Sequence, residues 1–263
     1  MPHIRIVNLH KRFGNVVVFR GVNLTVYQRE CVVILGPSGT GKSVLLKHIV
    51  GLLKPDAGEV YIRDQRVDKL DEAELETVRR QIGFLFQGGA LFDSMSVYDN
   101  IAFPMREHEN FTEEQVRQRV AEKLAMVGLD GTQSKMPAEL SGGMRKRVAL
   151  ARAIALNPEV MLYDEPTTGL DPIRADVINE LILKLNDELH VTSVVVTHDM
   201  ASAFKVADRL VMLADGKVIQ EGKADDFRNS RLEEVKRFVQ GRANPAELEG
   251  LRRPQAKHEE VQG

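Results

Sequence analysis

The sequence predicts an α/β fold: a parallel sheet whose strands feed helices, with a helical insertion. Three observations predict it. Cys31-Val32-Val33-Ile34-Leu35 is short, apolar and rich in β-branched residues, the pattern of a buried strand. It runs straight into Gly36-Pro37-Ser38-Gly39-Thr40-Gly41-Lys42-Ser43, which has the form G-x-x-x-x-G-K-S/T, and Val44 to Val50 then reads as a helix ending near Gly51. Farther on, Ile82 to Phe86, Val160 to Tyr163 and Val191 to Thr197 repeat the buried-strand pattern. Each of these ends on polar residues: Gln87, Asp164-Glu165 and His198.

Strand, glycine-rich turn and helix together are the setting of a phosphate-binding loop. The glycines let backbone N–H groups converge on one concavity, and the helix N-terminus adds its unpaired donors and dipole. Lys42 is positioned to reach the β- and γ-phosphates, and the Ser43 hydroxyl to ligate Mg²⁺. A ligand-free turn is the bland alternative, disfavoured by the full eight-residue match in its proper context.

The 263 residues suit one large domain or two small ones, and the net charge of −2 gives no basic field of the kind nucleic-acid binders use. The single cysteine, Cys31, reads as a small buried hydrophobe, excludes an intrachain disulfide and fits a reducing compartment. No apolar run approaches the ~20 residues that span a bilayer, and Met1 to Leu9 lacks a signal-peptide pattern. The expectation is a soluble or peripheral protein in the cytoplasm.

In chain order, Ile4 to Leu9, Val16 to Phe19 and Val22 to Tyr27 read as three strands, with Phe13 between the first two. Phe13 is either a core residue or an exposed aromatic on which adenine stacks; its own stretch does not choose. Glu59 to Ile62 is a strand, and a helix over about Asp71 to Gln81 opens on a capping pattern of Asp71 and Glu74. Residues 88–105 carry apolar side chains in loop-rich sequence. Thr112 and Gln115 cap a helix whose Val116, Val120, Leu124 and Val127 share a face. A long amphipathic helix starts near Ile173 and runs to Leu189. Asp215-Gly216 marks a hairpin between Arg209–Leu213 and Lys217–Gln220, and a last helix covers about Arg231 to Val239. Residues 89–157 form the helical insertion, and the polar tail 241–263 cannot fold alone.

Asp164 ends an apolar strand, so it can hold the Mg²⁺ shell opposite Ser43. Glu165 beside it can take a proton from water attacking the γ-phosphate, assistance worth ~10²–10⁴ in rate; a solvated turn is the alternative. Gln87 either satisfies a loop or touches Mg²⁺ and senses the γ-phosphate. His198 sits where parallel sheets bind ligands, so a γ-phosphate contact competes with a structural role. A second anion-type helix end follows Leu140: Ser141 is a good N-cap, Gly142 and Gly143 leave the N-terminus open, and Arg145, Lys146, Arg147 and Arg152 follow. The alternative there is a solvated basic face.

These motifs, in this order, resemble the ATP-binding-cassette (ABC) ATPases over nearly the whole chain to about residue 240. The matches are the P-loop at 36–43, the Q-loop at Gln87, the signature Leu140-Ser141-Gly142-Gly143-Met144, Walker B ending at Asp164-Glu165, the D-loop at Gly169-Leu170-Asp171 and the switch His198. The resemblance implies a RecA-like core with an antiparallel β subdomain and an inserted helical subdomain, forming one nucleotide-binding domain over 1–240. It implies a Mg²⁺-dependent ATPase, with Glu165, His198, Gln87 and Lys42 catalytic and Ser43, Gln87 and Asp164 on the metal. By the same resemblance Phe13, residues 36–43, Val44, Ser141, Gly142 and Gly143 are expected to bind nucleotide, Phe13 by stacking on adenine. In that family two cassettes pair head to tail, which implies that Ser141, Gly142 and Gly143 serve the partner's ATP. Met144 stands where Gln is usual, Thr167-Thr168-Gly169-Leu170-Asp171 departs from the common D-loop form, and Val44 replaces a second hydroxyl residue; no group assigned to metal, base or phosphate is lost.

Leu85-Phe86-Gln87-Gly88-Gly89-Ala90-Leu91-Phe92-Asp93-Ser94-Met95-Ser96-Val97, then Asn100 to Pro104, is similar to the ATPase subunits of Mla-type phospholipid transporters of Gram-negative bacteria. That resemblance implies a location on the cytoplasmic face of the inner membrane. It also implies an inner-membrane permease, a periplasmic lipid-binding partner and a STAS-domain partner, with no nucleic acid. Leu91, Phe92, Met95, Val97, Ile101, Phe103 and Met105 make the expected docking patch; packing of the helical subdomain is the alternative. The tail is expected to order only on another subunit. The competing functions are a soluble ABC ATPase, an ABC importer or exporter for another cargo, and a scaffold that does not hydrolyse. Glu165 and His198 argue against the last.

Overall fold

The computed structural model describes residues 1–244. The chain opens with a long antiparallel pair, β1 (Pro2–Phe13) and β2 (Val16–Tyr27), and then enters the core at β3 (Cys31–Leu35). The P-loop and α1 (Lys42–Ile49) follow, then β4 (Ala57–Ile62), β5 (Gln65–Arg66), α2 (Glu72–Arg79) and β6 (Ile82–Leu85). Three helices come next: α3 (Val97–His108), α4 (Glu113–Met126) and α5 (Gly142–Ala153). The chain returns through β7 (Val160–Asp164), α6 (Pro172–Leu189), β8 (Thr192–Val196) and α7 (Met200–Val206). It finishes with β9 (Arg209–Ala214), β10 (Lys217–Gly222), α8 (Ala224–Arg228) and α9 (Glu233–Val239). Residues 245–263, most of the polar tail, lie outside the described residues.

Two sheets form. One is antiparallel in the order β2-β1-β4-β5; the other runs β10-β9-β3-β8-β7-β6, parallel from β9 to β6. The parallel sheet is buried on both faces, and the strand period of two divides its side chains between two cores. Cys31, Val33, Leu35, Met161, Tyr163 and Val195 face a core shared with α3 to α7. Val32, Ile34, Leu162, Val194 and Val196 face a core shared with α1 and the antiparallel sheet. Crossovers between parallel strands put the ends of β3, β6, β7 and β8 on one edge, and the polar residues singled out in the sequence follow those ends.

Local chemistry explains the elements. The Asp71/Glu74 and Thr112/Gln115 capping boxes both close. Asp215 and Gly216 take φ of 46° and 75°, the two positive values a tight hairpin turn requires. Three readings need correction. Val16–Phe19 and Val22–Tyr27 are one strand, because Gly21 at φ 89° absorbs a bulge between the Leu9–Val22 and His10–Arg20 pairs rather than ending the pairing. Residues 97–108 are helical rather than loop-rich: Ser96 caps α3 by accepting from the Asp99 N–H at 3.1 Å, and Pro104 is tolerated inside it. Val97, Ile101 and Met105, spaced by four, are buried in the core, so they leave the proposed docking patch. The short helices α7 and α8 have no counterpart in the sequence reading.

Candidate active site

The P-loop leaves β3 and enters α1 through Gly41, which sits at φ 93° as the N-cap and supplies no side-chain cap. That leaves the first N–H groups of α1 available to an anion. Gly36 and Gly41 are required by the fold itself. A Cβ at Gly36 would lie 2.3 Å from the Leu213 carbonyl oxygen, and one at Gly41 would lie 2.5 Å from the Val18 side chain. Thr40 Oγ1 donates to the Pro37 carbonyl at 2.9 Å, and Ser38 and Gly39 are exposed. Lys42 is buried and donates to the carbonyls of Gly36 at 2.8 Å and Pro37 at 3.0 Å. Burial lowers its pKa, opposed by the nearby Glu165 and Asp164 carboxylates.

Ser43 Oγ donates to Asp164 Oδ1 at 2.7 Å across 121 positions of sequence. Asp164 is buried, and burial raises its pKa; the Ser43 bond pulls the other way. A desolvated carboxylate beside a hydroxyl fits a hard divalent cation. Gln87 opens onto the same cleft as Ser43, Val44, Glu165 and His198. Among the described residues no group of three or more His, Cys, Asp or Glu side chains that could hold a metal ion is present. The Ser43 hydroxyl and the Asp164 carboxylate fit an ion that shares its coordination with water and phosphate oxygens, which is the habit of Mg²⁺.

Glu165 is buried with φ of 48°, a left-handed backbone at a non-glycine residue. Such a conformation persists only where its surroundings enforce it. Its N–H donates to the Val196 carbonyl at 2.9 Å. Its carboxylate meets three groups: Thr168 Oγ1 donates to Oε2 at 3.1 Å, His198 Nδ1 stands 2.8 Å from Oε2, and Lys42 Nζ stands 3.9 Å from Oε1. Thr168 is a contact the sequence reading missed.

Phe13 is 46% exposed at the end of β1 and is no member of the core, so its alternative as a core residue falls. Lys11 Nζ lies 5.4 Å from its ring centroid. The hairpin carrying it leans on the P-loop, since Val18 and Phe19 crowd Gly41.

The second helix end lies apart. Ser141 caps α5, its Oγ accepting from the Met144 N–H at 3.3 Å. Its cleft, lined by Ser141, Gly143, Met144, Arg147, Arg174 and Val177, shares no residue with the P-loop cleft. The Met144 side chain packs against the core. The basic residues of α5 are taken up by main-chain carbonyls rather than forming one solvated face; Arg145 is exposed beside the N-terminus and Arg147 lines the Ser141 cleft. Arg145 donates to the Leu140 carbonyl at 2.8 Å, Arg147 to Gly128 at 2.9 Å, Arg152 to Gly89 at 2.9 Å, and Lys146 to Gln87. Carbonyl partners leave no trace in residue type, so sequence reasoning could not find them. Asn100 is a similar case: fully buried, it donates to the Phe92, Met95 and Ser96 carbonyls and accepts from the Phe92 N–H at 2.9 Å, tying the loop after Gln87 to α3.

A groove opens between β6 and α3. Phe84 and Phe86 stack there with centroids 4.1 Å apart, and the exposed rings of Phe92 and Phe103 sit 5.1 Å apart. Arg80 and His108 also line it.

Comparison with known proteins follows the same lines. The ABC transporter family model matches residues 19–168. The chain is 45% identical to the intermembrane phospholipid transport system ATP-binding protein MlaF of Haemophilus influenzae, over 92% of this chain and 91% of that one. It is 44% identical to a probable ribonucleotide transport ATP-binding protein, mkl, of Mycobacterium bovis, over 91% of this chain and 67% of that one. Among solved structures it resembles a dimer of the ATP-binding cassette MJ0796 in a post-hydrolysis state bound to ADP and Pi. The TM-score is 0.77 and the identity 38%, covering 84% of this chain and 98% of that one.

Proposed function

We propose, on the premise that this chain belongs to the ABC transporter family, that it is the ATP-hydrolysing subunit of a membrane transporter, acting as a head-to-tail homodimer that moves phospholipid. One observation carries the reading. The chain has two phosphate-type helix ends in separate clefts, and among the described residues only the P-loop cleft is lined by a carboxylate, Glu165, with Asp164 bonded to Ser43 behind it. Each ATP therefore needs the P-loop of one copy and Ser141, Gly142 and Gly143 of the other.

Within the P-loop half, the N–H groups of 36–43 and the first turn of α1 bind the phosphates, with Val44 alongside. Lys42 moves from its carbonyl partners to the β- and γ-phosphates. Ser43, Asp164 and Gln87 would hold Mg²⁺, which when bound neutralises charge developing on the phosphates. Glu165 accepts the proton of the attacking water, and His198, already beside its carboxylate, contacts the γ-phosphate. Phe13 stacks on adenine. The γ-phosphate supplies the contact that differs between closed and open dimers, as a ligand-driven switch requires.

The aromatic groove of Phe84, Phe86, Phe92 and Phe103 is the seat for a short helix of the inner-membrane permease, replacing the larger patch read from sequence. No helix among the described residues is long and apolar enough to cross a membrane, so we place the chain peripherally at the cytoplasmic face through that partner. STAS-domain and periplasmic lipid-binding partners are part of the same proposal, which involves no nucleic acid.

The Glu165→Gln variant tests the core of this reading. It should bind ATP, turn over ~10²–10⁴ more slowly, and double in mass by light scattering when ATP is added. A strictly monomeric variant, alone and with its membrane partners, would refute the dimer. Identification of the lipid in complexes purified from membranes tests the cargo; a bound ribonucleotide cargo would shift it toward the label carried by the mycobacterial relative.

A further inference from the structure

Lys146 lies in the second turn of α5, five residues after the signature serine, and its side chain is buried. A buried ammonium needs partners for its donors. Lys146 Nζ finds two main-chain carbonyls from separate strand ends: that of Gln87 after β6, and that of Glu165 after β7 at 3.3 Å. Burial lowers its pKa, while the charges of Asp164 and Glu165 counteract this.

The Glu165 contact falls on the left-handed residue. Its peptide is held on both sides, with N–H on Val196 O at 2.9 Å and C=O on Lys146 Nζ and, at 3.3 Å, the Thr168 N–H. This backbone turn sends the carboxylate toward Lys42 and His198. If the ammonium is removed, one clamp on an intrinsically unfavourable conformation goes with it. We infer that Lys146 is a positioning residue: carried by the signature helix, it sets the backbone of Glu165 and Gln87, so the base is aligned only while α5 is docked. This rests on the reading of Glu165 as the base.

The test measures phosphate release and ATP affinity for the full-length chain. Lys146→Met should lower kcat by about 10–100-fold, the scale of a misplaced reacting group, with ATP affinity within about threefold of wild type. Lys146→Arg, which keeps charge and donors, should recover most of kcat. In a Glu165→Gln background Lys146→Met should cost much less than in wild type, because residues acting as a unit are not additive; the loss that remains is the part carried by Gln87. Wild-type turnover by Lys146→Met overturns the inference, as does an undiminished loss in the Glu165→Gln background. Should Lys146→Met fail to fold, Lys146→Gln, with fewer donors and no charge, should show an intermediate kcat; wild-type turnover there is equally contrary. Wild-type turnover by Glu165→Gln itself would sink the parent reading, whereas an inactive Glu165→Gln beside a fully active Lys146→Met sinks only this one.

Discussion

The two glycine-opened helix ends differ in what their glycines are for. At α1, Gly36 and Gly41 are demanded by the chain's own packing: both stand at positive φ, and a Cβ at either would collide with Leu213 or Val18. At α5, neither Gly142 nor Gly143 has a positive φ. A Cβ there would meet Leu170 at 3.7 Å or Arg174 at 3.6 Å, ordinary contact distances. Glycine in a helix costs about 1 kcal/mol relative to alanine, so α5 forgoes stability that its own fold does not require it to lose. The proposed dimer would account for the missing side chains, because a partner's nucleotide would approach the helix end closely. That is the physical content of proposing a partner's nucleotide there.

Two substitutions attack this contrast with the largest expected effects. Gly41→Ala should destabilise the fold by about 2–4 kcal/mol, combining left-handed backbone cost with overpacking against Val18 and Phe19, and should abolish nucleotide binding. Gly143→Ala should leave thermal stability unchanged or raise it by up to about 1 kcal/mol, and leave ATP affinity of the monomer intact, yet lower turnover at least tenfold. Melting curves and phosphate release on both variants decide the matter. Full activity in Gly143→Ala would erase the distinction between the two ends.

A smaller effect sharpens it. The hairpin that packs on the P-loop carries an exposed aromatic, Phe13, while among the described residues no aromatic side chain lines the cleft of the signature end. All recognition of the base should then come from one end. Phe13→Ala should weaken ATP by about 1–3 kcal/mol, the usual worth of base stacking on an aromatic, and leave inorganic triphosphate binding unchanged. Isothermal titration with both ligands separates the cases, and equal losses would mean that Phe13 supports the loop rather than the base.

The same contrast explains which parts were legible in the sequence. The P-loop is contiguous, its strand and helix flank it, and its partners Gln87, Asp164, Glu165 and His198 each follow a strand whose apolar pattern stands out. Parallel topology then brings them together without further information. The α5 end was legible only as capping and charge. Its cations bind carbonyls contributed by Leu140, Gly128, Gly89 and Gln87, and a carbonyl belongs to every residue type. Helix α3 was hidden for another reason: Pro104 and the preceding glycines obscure a Val97, Ile101, Met105 spacing that tertiary burial makes decisive. The sequence reading split β2 between Phe19 and Val22, where the chain instead uses the conformational freedom of Gly21 to keep the strand continuous.

The smallest expected effect concerns pH and again separates the two helices. His48 lies in α1, buried to 1% exposure, with Nδ1 2.7 Å from the Val44 carbonyl and Nε2 buried without a partner among the described residues. Its pKa is lowered mainly by burial, opposed by the Val44 bond; Lys11 lowers it further and Asp56 raises it. The folded state therefore binds fewer protons than the unfolded state between the depressed pKa and the ordinary value of about 6.5. Stability from this site is complete above that value and is lost as pH falls through the window. Helix α5 contains no histidine. Amide exchange, corrected for its intrinsic pH dependence, should show α1 losing protection between pH 7.5 and 5.5 more than α5, and His48→Leu should remove the difference. Equal loss in both helices, or a difference that survives His48→Leu, would assign the acid sensitivity to groups outside α1.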